Sequence, residues 1–182
     1  MKNGGIAMKT MIIFANGLEE CEALVTYDLL YRAGIETDII GLEDEIISSH
    51  NVKIIPHKNI KDIDPLDYDC LILPGGMPGT LNLENNEMVQ SFIDLFIEKD
   101  RYIAAICAAP SILAHKGLLE NGKFIVHPGF EGDLKPIEGK ICQDGKIITG
   151  RSLGAVFEFA QLIIKNLLGE EKAQWIFEKI LY

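Results

Sequence analysis

The sequence predicts an α/β protein of three layers, with a mostly parallel central sheet covered by helices on both faces and a small β-hairpin excursion. Two observations carry this expectation. Short apolar runs alternate with helical stretches along most of the chain, and turns rich in glycine or small residues follow those runs. One segment, residues 43–64, breaks the alternation with short β-prone pieces and polar turns. At 182 residues with 48% hydrophobic content, a single domain over 1–182 with a buried core is expected.

The elements follow in order. Residues 10–15 (TMIIFA) form an apolar run stopped by Asn16-Gly17, and residues 19–33 then place Leu24, Tyr27, Leu30 and Tyr31 at helical spacing. Gly34 suits the end of that helix, and residues 35–42 (IETDIIGL) read as a second strand. Within the excursion, residues 45–47 and 52–55 read as a hairpin. Residues 69–73 (DCLIL) resume the buried-strand pattern and run into Pro74-Gly75-Gly76, with a helix over 86–99 behind them. Residues 102–106 form the next strand, ending at Cys107, and Pro110 opens a helix to about His115. Residues 124–126, 139–143 and 146–149 are short strand candidates, the last two joined by the turn Asp144-Gly145. Helices over 154–168 and from Glu170 onward close the chain. Right-handed crossovers turn this order into a flavodoxin-like sandwich, in which ligands collect at the carboxyl ends of the strands.

Composition excludes several partners. A net charge of −10 repels phosphate backbones, and no Lys/Arg cluster interrupts it, so no nucleic acid is expected. No apolar run approaches the roughly 18 residues of a membrane span. Residues 1–9 lack the apolar centre of a signal peptide, and Met8-Lys9-Thr10 is an alternative start, so a cytoplasmic protein is expected. Cys21, Cys70, Cys107 and Cys142 contain no CxxC pair, which suggests neither a zinc site nor a disulfide scaffold. Neither a metal nor an organic cofactor is expected.

Cys107 sits in Ala104-Ala105-Ile106-Cys107-Ala108-Ala109-Pro110. A strand that turns sharply into a helix brings its backbone close to neighbours, and small residues two before and two after the turn allow that approach, as in a nucleophile elbow. A thiol at a helix N-terminus also ionises more easily than the usual pKa of about 8.5. Position alone leaves a second reading open, that of a buried small apolar residue. Pro74-Gly75-Gly76 after a strand can turn amides toward an anion, or can be a tight turn and nothing more.

Glu19, Glu20 and Glu22 open the first helix, where carboxylates favour the helix dipole. Glu22 shares a face with Val25 and Leu29, which turns it toward the sheet; a buried carboxyl beside a thiolate has a raised pKa and can hydrogen-bond sulfur. His127, in Val126-His127-Pro128-Gly129, follows a strand candidate and reaches toward the same edge, or packs in its loop. Arg151, after Ile148-Thr149-Gly150, suits a substrate carboxylate or a structural ion pair.

In order and spacing, these segments together resemble the ThiJ/PfpI superfamily, in particular the DJ-one branch with its bacterial relatives. The resemblance rests on Ala15-Asn16-Gly17-Leu18-Glu19-Glu20-Cys21-Glu22, Leu73-Pro74-Gly75-Gly76, Ala104 to Pro110, Val126-His127-Pro128 and Phe157-Glu158-Phe159-Ala160. It covers the chain from about Met8. It implies that Cys107 is an oxidation-sensitive nucleophile, Glu22 its protonated partner and His127 the nearby histidine. Amides of Gly76 and Ala108, with Gly75 beside them, are implied to face the reacting atom. It further implies a homodimer that works without a cofactor on a small reactive carbonyl or a glycated protein, or else senses oxidative stress or acts as a chaperone through the same cysteine.

Three departures shape the expectation. Ala108 stands where the protease-like branch has histidine, so no peptidase triad is expected. No histidine follows His127, unlike the His-x-Glu pair of glutamine amidotransferases. Ser49-His50 stands where close relatives carry an arginine after Cys-Ser, which makes His50 a candidate for substrate binding beside Arg151.

Overall fold

A computed structural model describes residues 8–182, so Met1, the other candidate start beside Met8, lies outside the described residues. Strand β1 (Lys9–Phe14), helix α1 (Glu20–Ala33) and β2 (Glu36–Gly41) form the opening unit. The hairpin β3 (Ile46–Ile47) and β4 (Lys53–Ile54) follows, then β5 (Lys58–Asn59) and β6 (Cys70–Leu73). Helices α2 (Gly79–Glu84) and α3 (Glu87–Glu98) lead to β7 (Tyr102–Ile106) and α4 (Pro110–His115). The chain ends with β8 (Ile141–Asp144), β9 (Ile147–Gly150), α5 (Val156–Leu168) and α6 (Glu170–Lys179).

The main sheet has seven strands in the order β5-β2-β1-β6-β7-β9-β8, all parallel except the β8–β9 pair, and β3–β4 stand apart as a two-stranded hairpin. The expected α/β sandwich with its hairpin excursion is therefore present. Alternation along β1 explains the layers: Ile12 and Phe14 enter a core under α1, α5 and α6, while Met11 and Ile13 enter a second core under α3 and α4. Strands β1, β6 and β7 are buried on both faces, hence their continuous apolar runs.

Three details differ from the sequence expectation. Residues 124–126 are buried but form no strand: the Ile125 amide donates to Thr149 Oγ1 at 2.9 Å and the Phe124 carbonyl accepts from the Ile137 amide at 2.9 Å, so side chain and loop replace a ladder. Helix α2 (GTLNLE) was not anticipated, because six residues are too few for a periodic pattern. Within the excursion, β5 pairs in parallel with β2 at Ile40–Lys58 and Gly41–Asn59, lengthening the main sheet.

Chain order reverses between β1 and β6: from β1 the chain first runs out to β2, then returns to β6 on the other side. In an open parallel sheet that reversal leaves a crevice at the carboxyl ends of the two strands. Glu22 follows β1, Gly75 and Gly76 follow β6, and Cys107 follows β7, so the crevice gathers them.

Candidate active site

Cys107 is a strained elbow. Its φ is +64°, a left-handed conformation that costs a non-glycine residue on the order of 1–3 kcal/mol and persists only where neighbours enforce it. Here both backbone groups are held. The Cys107 amide donates to the Gly150 carbonyl at 2.9 Å, and the Cys107 carbonyl accepts from the His127 amide at 2.8 Å. Ala105, Ala108 and Ala109 are all buried, in line with the need for small neighbours at the turn.

Glu22 is 1% exposed, on the inward face of α1. Its Oε2 accepts the Gly75 amide at 3.1 Å, and the Leu153 amide and the Cys107 thiol also hydrogen-bond the carboxyl. Burial raises this carboxyl to about 7; those hydrogen bonds oppose the rise and the charge of Glu19 adds to it. The thiol moves the same way. Burial, then the charge and hydrogen bond of Glu22, push Cys107 up to about 12, against the pull of the Ala108 and Gly76 amides.

That direction corrects the expectation of a thiol acidified by a helix N-terminus. Helix α4 has six residues and begins at Pro110, which has no N–H to offer, so the amides that reach sulfur are those of Ala108 and Gly76. Burial thus disfavours charge on both groups, and the carboxyl changes charge near neutrality.

The Gly75 amide is taken by Glu22, so among the three residues expected to hold an oxyanion its part is to fix the carboxyl; Gly76 and Ala108 present theirs to sulfur. No side chain fits at Gly75, where a Cβ would lie 2.6 Å from both Cys107 Cβ and Glu22 Oε2. Gly76 has φ +93°, and a Cβ there would lie 2.2 Å from the Glu19 amide nitrogen.

His127 is half-buried with its ring edge-on to Phe130 at 5.9 Å between centroids. Its Nδ1 lies 3.0 Å from the Pro128 carbonyl, which only accepts, so the Nδ1–H donates in that contact and Nε2 is left for other partners. His50 and Arg151 have other partners. The His50 Nδ1 lies 2.9 Å from Glu20 Oε1 and 3.7 Å from Glu19 Oε2, and Arg151 pairs with Glu138 at 3.6 Å. The hydrogen bond to Glu20, then the charges of Glu20 and Glu19, hold the His50 imidazole above its ordinary pKa. Glu19, Glu20 and His50 are also the potential metal ligands that converge among the described residues, within 4.8 Å of one another, and the imidazole's contacts with the carboxylates account for the grouping.

Sequence reasoning missed the Leu153 amide and the Gly150 carbonyl. Both act through backbone, Gly150 as the last residue of β9 and Leu153 in the short turn after it, where side-chain identity carries no signal.

A half-buried thiol on a strained elbow, facing a buried carboxyl across the reversal point of a parallel sheet, defines a class of α/β proteins with one cysteine at the sheet's carboxyl edge. The DJ-1/PfpI family model matches residues 8–166, and the chain belongs to that family. It is 34% identical to "Protein DJ-1alpha" of Drosophila melanogaster, covering 97% of this chain and 85% of the relative. It is 30% identical to "Glutathione-independent glyoxalase DJR-1.2" of Caenorhabditis elegans, covering 85% of each. Among solved structures, oxidized DJ-1 of Toxoplasma gondii superposes with a TM-score of 0.93 at 31% identity, covering 97% of this chain and 99% of that one. No helix among the described residues is long and apolar enough to cross a membrane.

Proposed function

We propose that this protein is a cofactor-independent glyoxalase, converting 2-oxoaldehydes to 2-hydroxy acids through Cys107. The observation that carries the reading is the Glu22–Cys107 pair: a thiol hydrogen-bonded to a carboxyl whose pKa, about 7, lets it both take and return a proton. The name of the Caenorhabditis elegans relative agrees with it.

Glu22 accepts the thiol proton as sulfur attacks the aldehyde carbon, so no resting thiolate is required. The C–S bond forms, the carbonyl oxygen becomes an oxyanion near the Gly76 and Ala108 amides, and the proton returns to it, giving a hemithioacetal. Glu22 then removes the proton from that carbon, leaving an enediolate, and returns it to the neighbouring ketone carbon, while the hydroxyl proton on the first carbon passes to the oxygen of the second. The first carbon is oxidised to a thioester while the second is reduced to an alcohol, so the redox balance closes within the substrate. Water, with His127 Nε2 as its acceptor, cleaves the C–S bond, releasing the 2-hydroxy acid and restoring the thiol.

The same chemistry reaches adducts of 2-oxoaldehydes with protein amines, which makes deglycation a neighbouring activity. A second reading is oxidative-stress sensing, with Cys107 oxidised to sulfinate; the amides facing sulfur favour it, and the Toxoplasma gondii relative is described as oxidized. Four free cysteines suit a reducing compartment, in keeping with a cytoplasmic location. Steady-state assay with methylglyoxal decides between the readings, because a catalyst turns over many equivalents and a sensor is consumed once.

A further inference from the structure

A cavity of about 200 Å³ opens beside the thiol site, walled by Met77, Thr80, Glu84, Ser111, His115 and Phe130. Three of the segments that build the thiol site continue into it. Gly76 is followed by Met77, and its carbonyl accepts the Thr80 amide at 2.8 Å. The Ala108 carbonyl accepts the Ser111 amide at 3.0 Å, and the His127 carbonyl accepts the Phe130 amide at 3.1 Å.

Its floor contains an anomaly. Thr80 is 1% exposed, and its Oγ1 is the single buried side-chain polar atom without a hydrogen bond among the described residues. A buried hydroxyl left unpaired is a net cost to the folded chain. Thr80 lies at the start of α2, where threonine has two accessible χ1 wells, so its hydroxyl has a second position open to it. Ser111, 5% exposed, adds a second hydroxyl, and the Glu84–His115 pair closes one side at 2.5 Å. Met77 and Phe130 supply apolar faces. The lining thus offers hydrogen bonds together with surfaces for C–H groups.

Resting on the glyoxalase reading, we infer that this cavity is a substrate subsite that receives the hydroxylated tail of a sugar-derived 2-oxoaldehyde, whose aldehyde is attacked by Cys107. At about 30 Å³ per water molecule the space equals roughly seven waters. That suits a tail of three or four carbons and is too small for a folded protein's glycated segment. A bound tail hydroxyl satisfies the Thr80 hydroxyl, which the free protein leaves unpaired.

The test compares 3-deoxyhexos-2-ulose, a six-carbon 2-oxoaldehyde with three tail hydroxyls, with methylglyoxal on the wild-type protein and on Thr80→Val and Ser111→Ala. The wild type is expected to favour the six-carbon substrate by at least tenfold in kcat/KM. Each variant is expected to reduce that preference about tenfold, mainly through KM. Thr80→Val is nearly isosteric and removes an unpaired polar atom, so its Tm is expected to equal or exceed that of the wild type. A hydroxyl with a purely structural role would instead lower Tm and leave the ratio unchanged. Turnover of both aldehydes with no preference, or with a preference that neither variant alters, overturns the subsite and leaves the thiol mechanism standing. Turnover of neither aldehyde overturns the glyoxalase reading, and the subsite with it.

Discussion

Gly75 and Glu22, 53 residues apart in the chain, meet through a 3.1 Å hydrogen bond from the glycine amide to the carboxyl oxygen, with Cys107 against both. The carboxyl is held by backbone, which cannot be substituted away, and the backbone approaches that closely because residue 75 has no side chain.

Gly75→Ala is therefore expected to damage fold and activity together. The added methyl would sit 2.6 Å from Cys107 Cβ and Glu22 Oε2, both packed, so the cost is overpacking of about 1–3 kcal/mol. Chemical denaturation measures it. Turnover is expected to fall at least as far, since the pair must separate to admit the methyl.

Glu22 gives stability a defined pH dependence. Its folded pKa is raised from 4.5 to about 7. Below about 4.5 the group is protonated in both folded and unfolded chains and burial carries no charge penalty. Between about 4.5 and 7 the unfolded chain ionises while the folded one resists, so stability falls as pH rises through this window. Glu22→Gln is expected to be about 3 kcal/mol more stable than wild type at pH 8 and nearly equal to it at pH 4. Thermal melts at the two pH values measure the gap; a constant gap contradicts a buried, titrating carboxyl.

Peroxide is expected to modify Cys107 first. Cys21 is exposed, but burial and then the charges of Glu19, Glu20 and Glu22 hold its thiol protonated. Cys70 and Cys142 are buried, and burial raises both. Cys107 is half-buried and has Glu22 beside it to take its proton and two amides to hold the oxidised sulfur. Peptide mass spectrometry after limiting peroxide gives the order; equal modification of Cys21 and Cys107 contradicts it.

A homodimer is expected, as in the resemblance that first suggested it. Tyr31 is 67% exposed on α1, Ile55 is 67% exposed just past the hairpin, and a chain of net charge −10 would otherwise favour separation. Light scattering at micromolar concentration should give about twice the 20.2 kDa monomer mass, and Tyr31→Glu should shift it toward the monomer. A wild-type mass at the monomer value contradicts the expectation.

The sequence made the sheet legible because β1, β6 and β7 are buried on both faces and so read as unbroken apolar runs bounded by turns. It hid α2, too short for a period, and β5, a polar two-residue edge strand whose pairing depends on β2. In the site, Glu22 betrayed itself by sharing a helix face with apolar Leu29, and Cys107 by its small neighbours. The protonation balance was not legible. It depends on how deeply two side chains distant in sequence are buried together, and burial outweighs the two amides that favour the thiolate.

The central claim, a thiol nucleophile served by a carboxyl proton carrier, is tested most directly by methylglyoxal turnover against pH for wild type, Cys107→Ser and Glu22→Gln, with circular dichroism confirming each fold. Wild-type activity is expected to rise through about pH 7 as Glu22 ionises. Cys107→Ser should be inactive, and Glu22→Gln should keep a thiol that reacts with iodoacetamide yet lose about a hundredfold or more in rate. Wild-type turnover that Glu22→Gln matches in rate and pH profile would contradict the mechanism, and a wild type that forms no hydroxy acid would give the lead to oxidative sensing.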